Sequence, residues 1–281
     1  MKLKIFKTLW GLTSTYEQAV DETLAAGMQG IEGPAPHDSQ TRRKLKQLLH
    51  DNQLEYIAEV TTAGSYVPDR HASLEEHLNS LKQKLEYSLE LHPLFITCLG
   101  GCDAWPEEKS LEFFNRAMDI AESFNVTISF ETHRGRSFFN PWVTQRLVEQ
   151  LPQIKLTCDF SHWCVVSERL IDTELDIIKA IAGNAHHIHA RVGYDQGPQV
   201  PNPAAPEYQC ALLAHQTWWA ILWQSMIDRN YSIATMTPEF GPDGYLQEAP
   251  FTRKPVADLW ELNCWMANTE RMHFEKFISN R

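Results

Sequence analysis

The chain has 281 residues, 43% of them hydrophobic and 22% charged, with a formal net charge of -11. This is the composition of a soluble globular protein with room for one large α/β domain or two small ones. The excess of 36 acidic over 25 basic side chains speaks against a protein whose main work is gripping nucleic-acid phosphates. Its six cysteines lack CxxC spacing, which speaks against a disulfide framework or zinc ribbon. No stretch is apolar enough for a signal peptide or a bilayer span, so the expected setting is cytoplasmic, away from membranes.

Strand-like and helix-like runs alternate from one end to the other. Residues 4–10 read as the first strand, and the S-x-x-E box of Ser14 and Glu17 opens a helix that stops at Gly27. A short strand at 28–32 is followed by a charged helix at 39–52 and a third strand at 55–61. Ser73 and Glu76 form another capping box, opening a helix whose Leu74, Leu78, Leu81, Leu85 and Leu89 share one face. A strand at 94–99 leads to a helix with Pro106 as its first residue. In 126–131, Val126, Ile128 and Phe130 alternate with Thr127, Ser129 and Glu131, the period of a strand. A helix at 141–151, a strand at 154–159 and a helix at 173–181 follow, then a strand at 186–192. A proline-rich loop at about 193–209 precedes a tryptophan-rich helix at 211–228, a strand at 231–237 and a last helix from about 254.

Such alternation implies parallel strands with crossover helices. Eight units in a chain of this length predict one closed (β/α)8 TIM barrel spanning residues 1–281. The rival, an open doubly wound sheet, is disfavoured because no GxGxxG follows the first strand. The 193–209 loop, rich in Pro198, Pro201, Pro203 and Pro206, is expected to be a rim or lid of the catalytic face or a subunit contact. Trp219 and Trp223 share a helix face, where burial against the barrel and a homo-oligomer contact are the two readings.

Function in this barrel collects at the C-terminal strand ends. Glu131, Asp159, His189 and Glu239 end consecutive strands in matching phase: Glu131 with Ser129, Asp159 with Thr157, Glu239 with Thr237. Three carboxylates and an imidazole repel one another unless they share a cation, and the mixed O/N set suits one divalent ion, Mn²⁺, Co²⁺, Zn²⁺ or Fe²⁺, better than Ca²⁺. Arg191, inward by parity with His189, is placed to grip an anionic or hydroxylated substrate. His133 comes two residues after Glu131, either as a ligand for substrate oxygens or as a solvated turn. Trp10 and Trp163 lie near strand ends, able to stack on a sugar or to pack in the core. His187 faces inward, while Glu32 and Glu59 end earlier strands, where structural roles are expected.

The segments FETH, CDFSHW, HIHARVG and TPEFGP resemble the xylose-isomerase-like TIM-barrel superfamily, which holds sugar isomerases, keto-sugar 3-epimerases, inositol-catabolism enzymes and, more distantly, endonuclease IV. The resemblance implies that Glu131, Asp159, His189 and Glu239 bind the metal and that His162, three after the aspartate, contacts substrate oxygens. It departs at Arg191, two residues after His189 where the epimerases carry an arginine about six after, and in the longer 193–209 loop.

The expected function is a divalent-metal-dependent isomerase or epimerase of a small sugar, keto-sugar or polyol derivative, working through an enediolate with Glu131 and Glu239 as the catalytic pair. The same site would serve a dehydratase or lyase on a keto-sugar or inosose-like substrate. A nuclease of the endonuclease IV kind is the remaining alternative, against which the acidic charge speaks.

Overall fold

The computed structural model describes residues 1–281. Eight parallel strands close into a barrel in the order of the sequence: β1 (Lys2–Thr8), β2 (Gly30–Gly33), β3 (Glu55–Thr61), β4 (Ile96–Leu99), β5 (Ile128–Glu131), β6 (Leu156–Cys158), β7 (Ala185–His189) and β8 (Ile233–Thr237). Around them run α1 (Tyr16–Ala25), α2 (Ser39–Asp51), α3 (Leu74–Leu89), α4 (Glu107–Ser123), α5 (Pro141–Gln150), α6 (Ser161–Ser167), α7 (Leu175–Ile181), α8 (Gln209–Asp228) and α9 (Leu259–Ser279). The architecture is the predicted (β/α)8 TIM barrel.

Helix starts follow local chemistry. Ser73 forms the predicted capping box with Glu76 ahead of α3. At α1 the cap is Thr15, whose hydroxyl accepts from Gln18 N at 3.2 Å, one residue later than the Ser14 box predicts. Pro106 sits at the N-cap of α4 instead of its first turn. The last helix begins at Leu259, capped by Asp258, because residues 250–258 turn back so that Ala249 N and Val256 N reach Lys254 O and Gln247 O. The seven-residue α6, directly after β6, is absent from the sequence reading.

Strand register brings the inward side chains into tiers. The bottom is plugged by Phe6, Ile57 and Phe95; there Gly30 is required, since a Cβ would lie 2.1 Å from Glu55 O and 2.7 Å from the Phe6 ring. Above the plug a polar tier forms, with Thr157 Oγ1 at 2.7 Å from Ser129 Oγ and 3.3 Å from Thr97 Oγ1. The top tier carries the chemistry, and its phase follows from pairing: Thr8↔Glu32, Glu59↔Thr97, Glu131↔Thr157, Thr157↔His187 and His189↔Thr237. On the outer face of the strands, Ile31, Ala58, Cys98, Phe130, Cys158, Ile188 and Met236 bury themselves under the helices.

The proline-rich segment is pinned to the end of β8. Val200 N donates to Val192 O at 2.9 Å, and Gln199 pairs with Gly241, accepting from its N–H at 2.9 Å and donating to its carbonyl at 3.3 Å. Behind it Trp218, Trp219 and Trp223 of α8 are fully buried, Trp218 edge-on to Phe160 and Trp223 against Phe274 and Phe277 of α9.

Candidate metal centre

Glu131, Asp159, His189 and Glu239 converge, each offering a ligand atom, with all four atoms within 4.8 Å of one another and all four residues buried. His189 stands in the middle. Its Nδ1 lies 3.2 Å from Glu239 Oε2 and 3.5 Å from Glu131 Oε1, and neither approach has hydrogen-bond geometry. Its Nε2 is engaged from below: Glu32 accepts from His189 Nε2 through Oε1 and from His187 Nε2 through Oε2, both at 3.0 Å. His187 Nδ1 is left to accept from the Thr235 hydroxyl at 2.8 Å. An ionised carboxylate only accepts, so both imidazoles carry their proton on Nε2. Burial pushes Glu32 toward its neutral form, but the two histidines outweigh it and hold the carboxyl well below its usual range.

With Nε2–H committed to Glu32, Nδ1 of His189 faces carboxylate oxygens. Burial lowers the imidazole, but Glu239, Glu32 and Glu131 outweigh it and hold it well above its usual value. The position calls for a positive charge, a proton or a metal ion, between the nitrogen and the carboxylates. The donor set therefore fits a divalent ion. Burial raises Glu131, with Glu239 and Asp159 adding to the effect against His189. Glu59, on β3, is pushed up to about 8 by burial and by Glu239, Glu131 and Glu32. In both groups burial is the largest cause, and the neighbouring carboxylates add to it.

One fixed cation already stands in the cluster. Arg191 is fully buried, and its guanidinium pairs with Asp159 Oδ2 through Nη2 and with Glu239 Oε2 through Nη1 at 3.2 Å. Nη1 also donates to Glu239 O at 3.2 Å, Nε to Ser161 Oγ at 3.1 Å, and Nη2 to His162 Nε2 at 2.7 Å. Asp159 Oδ1 accepts from Ser161 N at 2.9 Å and Ser161 Oγ at 2.5 Å. Arg191 thus spends its donors on the protein, whereas the sequence reading assigns them to a substrate. The rings of His162 and His133 meet at a tilt of 49° with centroids 3.9 Å apart; burial, then their neighbouring positive groups, holds both imidazoles neutral.

A small cavity opens above the cluster, lined by Glu59, Glu131, Glu239, Arg191 and His133 below and by Trp10, Tyr66, Leu99 and Tyr245. Trp10 is placed as expected at the cavity, its Nε1 donating to Asp243 at 3.2 Å and its ring meeting Tyr245 edge-on at 4.8 Å. Gly241 permits this, since a Cβ there would fall 2.0 Å from the Trp10 ring. Trp163 is a correction: it is fully buried away from the cavity, its Nε1 donating to Phe138 O at 3.0 Å and its ring packed on Phe160. His162 lies beneath the cavity wall, against Glu131 at 3.9 Å and Asp159 at 3.7 Å. Sequence reasoning missed Ser161, Tyr66 and Tyr245. The two tyrosines sit on loops, where no strand phase marks them, and Ser161 betrays itself only by its place two residues after Asp159.

A family model described as "Xylose isomerase-like TIM barrel" matches residues 20–197. No curated protein matches the chain in sequence. Among solved structures, the chain is similar to an L-ribulose 3-epimerase (TM-score 0.69, 14% identity, covering 100% of this chain and 97% of that one). It is similar also to a D-allulose 3-epimerase from Methylomonas sp. (TM-score 0.66, 13% identity, 97% and 98% covered). A third likeness is to endonuclease IV from Thermus thermophilus (TM-score 0.62, 14% identity, 98% and 100% covered). At such identities the likeness is one of fold.

Proposed function

The chain belongs to the xylose isomerase-like TIM barrel family, and on that footing we propose that it is a divalent-metal-dependent isomerase or epimerase of a small sugar, keto-sugar or polyol derivative. One observation carries the reading: Glu131 and Glu239 flank His189 Nδ1 at 3.5 and 3.2 Å while both line the same cavity. Glu131, Asp159, His189 and Glu239 would hold the ion. When bound, it supplies Lewis acidity toward a carbonyl and an adjacent hydroxyl oxygen.

The protein's own groups do the rest. One of Glu131 and Glu239 takes the proton from the carbon beside the carbonyl, and the other returns a proton to the same or the neighbouring carbon of the resulting enediolate. His133 faces substrate oxygens, His162 supports it from behind, and Trp10, Tyr66 and Tyr245 offer ring faces to C–H surfaces and narrow the access of water.

Glu59 favours a second reading. Pushed up to about 8 and lining the cavity, it keeps a proton at neutral pH and suits protonation of a leaving hydroxyl. The outcome would then be loss of water from a keto-sugar or inosose-like substrate.

The test is a screen of ketoses, inosose-like ketones and 3-keto-glycosides with Mn²⁺ in D₂O, read by NMR. Isomerase or epimerase action incorporates deuterium next to the carbonyl with a change of carbon configuration or carbonyl position, and lyase action yields an unsaturated product. On the substrate found, Glu131→Gln and Glu239→Gln should each lower turnover by at least ~10²-fold. If both keep near-normal turnover, the two-glutamate chemistry is wrong.

A further inference from the structure

Arg191 presents a puzzle. A guanidinium cannot be deprotonated in a protein, and here it stands between two of the four carboxylate and imidazole ligands of the centre. It is on the strand line of His189, two residues on, so the same β7 extension supplies both a ligand and a fixed positive charge. It reaches Asp159 directly and through Ser161, whose hydroxyl accepts from Arg191 Nε and donates to Asp159 Oδ1. On its other side it holds Glu239 by both side chain and carbonyl. Trp10 and Tyr245 lie over the guanidinium, with ring centroids 5.4 and 4.9 Å from Cζ, and these faces favour a cation held there.

We propose that Arg191 is a resident cation of the metal centre: it fixes Asp159 and Glu239 in ligand position and competes with the divalent ion for their charge. This rests on the reading of those residues as metal ligands. The centre is consequently preassembled, and its affinity for the ion is set low enough for ready exchange. Three carboxylates in the centre, two of them on the guanidinium, leave enough negative charge to take a dication, but less than the same site would offer without it. Ser161 belongs to the device, since it relays the guanidinium to the second oxygen of Asp159. Arg191 is therefore a positioning residue, and a substrate anion would have to displace existing bonds to reach it.

The experiment titrates the purified full-length protein with Mn²⁺ by calorimetry and follows thermal unfolding in EDTA and in Mn²⁺. Arg191→Met keeps the length and removes the charge, and Arg191→Lys keeps the charge and loses the fork. Arg191→Met should bind Mn²⁺ at least about tenfold more tightly than the natural protein, unfold at a lower temperature in EDTA, and gain more from Mn²⁺. Arg191→Lys should stay within about threefold of the natural affinity. A merely structural arginine would, on removal, weaken the ion or leave it alone. Should Arg191→Met fail to fold, Arg191→Gln replaces it, since the amide still donates to Asp159 without the charge. If the natural protein binds Mn²⁺ and the uncharged variant binds it no more tightly, the proposal falls while the metal centre stands. Binding by the variant alone would uphold the proposal and remove the metal from the proposed function. Binding by neither would overturn both.

Discussion

Glu32 decides which nitrogen of His189 faces the carboxylates. Its two oxygens take one N–H each from His187 and His189, at 3.0 Å in both cases, and so present Nδ1 of His189 to Glu131 and Glu239. Glu32→Gln offers one oxygen to two donors and adds donors of its own, so one imidazole must turn or lose its partner. The expected result is a roughly 10–100-fold loss of metal affinity, measured by Mn²⁺ titration, with the fold intact by circular dichroism; unchanged affinity would mean that the tautomer is held by something else. From the sequence, Glu32 reads as a strand-end carboxylate of structural character. Its reach across the barrel to β7 is a through-space relation that a single chain cannot display. The same is true of Arg191: strand parity places it inward, but only the closed barrel shows Asp159 and Glu239 already waiting for it.

At the level of elements, the strand ends were the readable part. Thr127, Ser129 and Glu131 alternate with apolar partners because one face of β5 meets the barrel interior and the other meets the helices, and the same phase in β6, β7 and β8 predicts the four converging residues. Less could be read where local signals are weak: α6 is only seven residues long without a side-chain cap, and the loops carrying Tyr66 and Tyr245 have no period. The proline-rich segment illustrates this, since its anchor lies outside it. His215 of α8 accepts from Gly193 N through Nε2 at 3.2 Å and donates from Nδ1 to Ala211 O at 2.9 Å. That bonding requires a neutral ring, and burial, outweighing the Ala211 bond, pushes His215 down to about 4. The unfolded chain binds the proton from about pH 6.5 downward while the folded chain resists it. Stability should therefore be full above about pH 6.5 and fall between there and about pH 4, by about 2 kcal/mol from this residue at about pH 5. Urea unfolding at about pH 7 and about pH 5 checks it: His215→Gln should show a smaller difference between the two than the natural protein. An equal difference would place the titration elsewhere.

The whole molecule is a barrel with an acidic mouth. A formal charge of -11 and five carboxylates at the strand ends, Glu32, Glu59, Glu131, Asp159 and Glu239, make it a poor host for a phosphodiester backbone, despite its likeness in fold to endonuclease IV. A duplex with an abasic site should bind weakly at moderate salt and stay uncut in Mn²⁺ or Zn²⁺; efficient metal-dependent incision would replace the sugar chemistry with nuclease chemistry. No helix is long and apolar enough to cross a membrane. The proposed chemistry depends on a single cation held by Glu131, Asp159, His189 and Glu239, and elemental analysis tests this most directly. Strand-end sites are separable from barrel packing, so Asp159→Asn combined with His189→Ala should leave a folded protein. The natural protein should carry about one divalent ion per chain and the double variant essentially none; full occupancy in the folded variant would contradict the account.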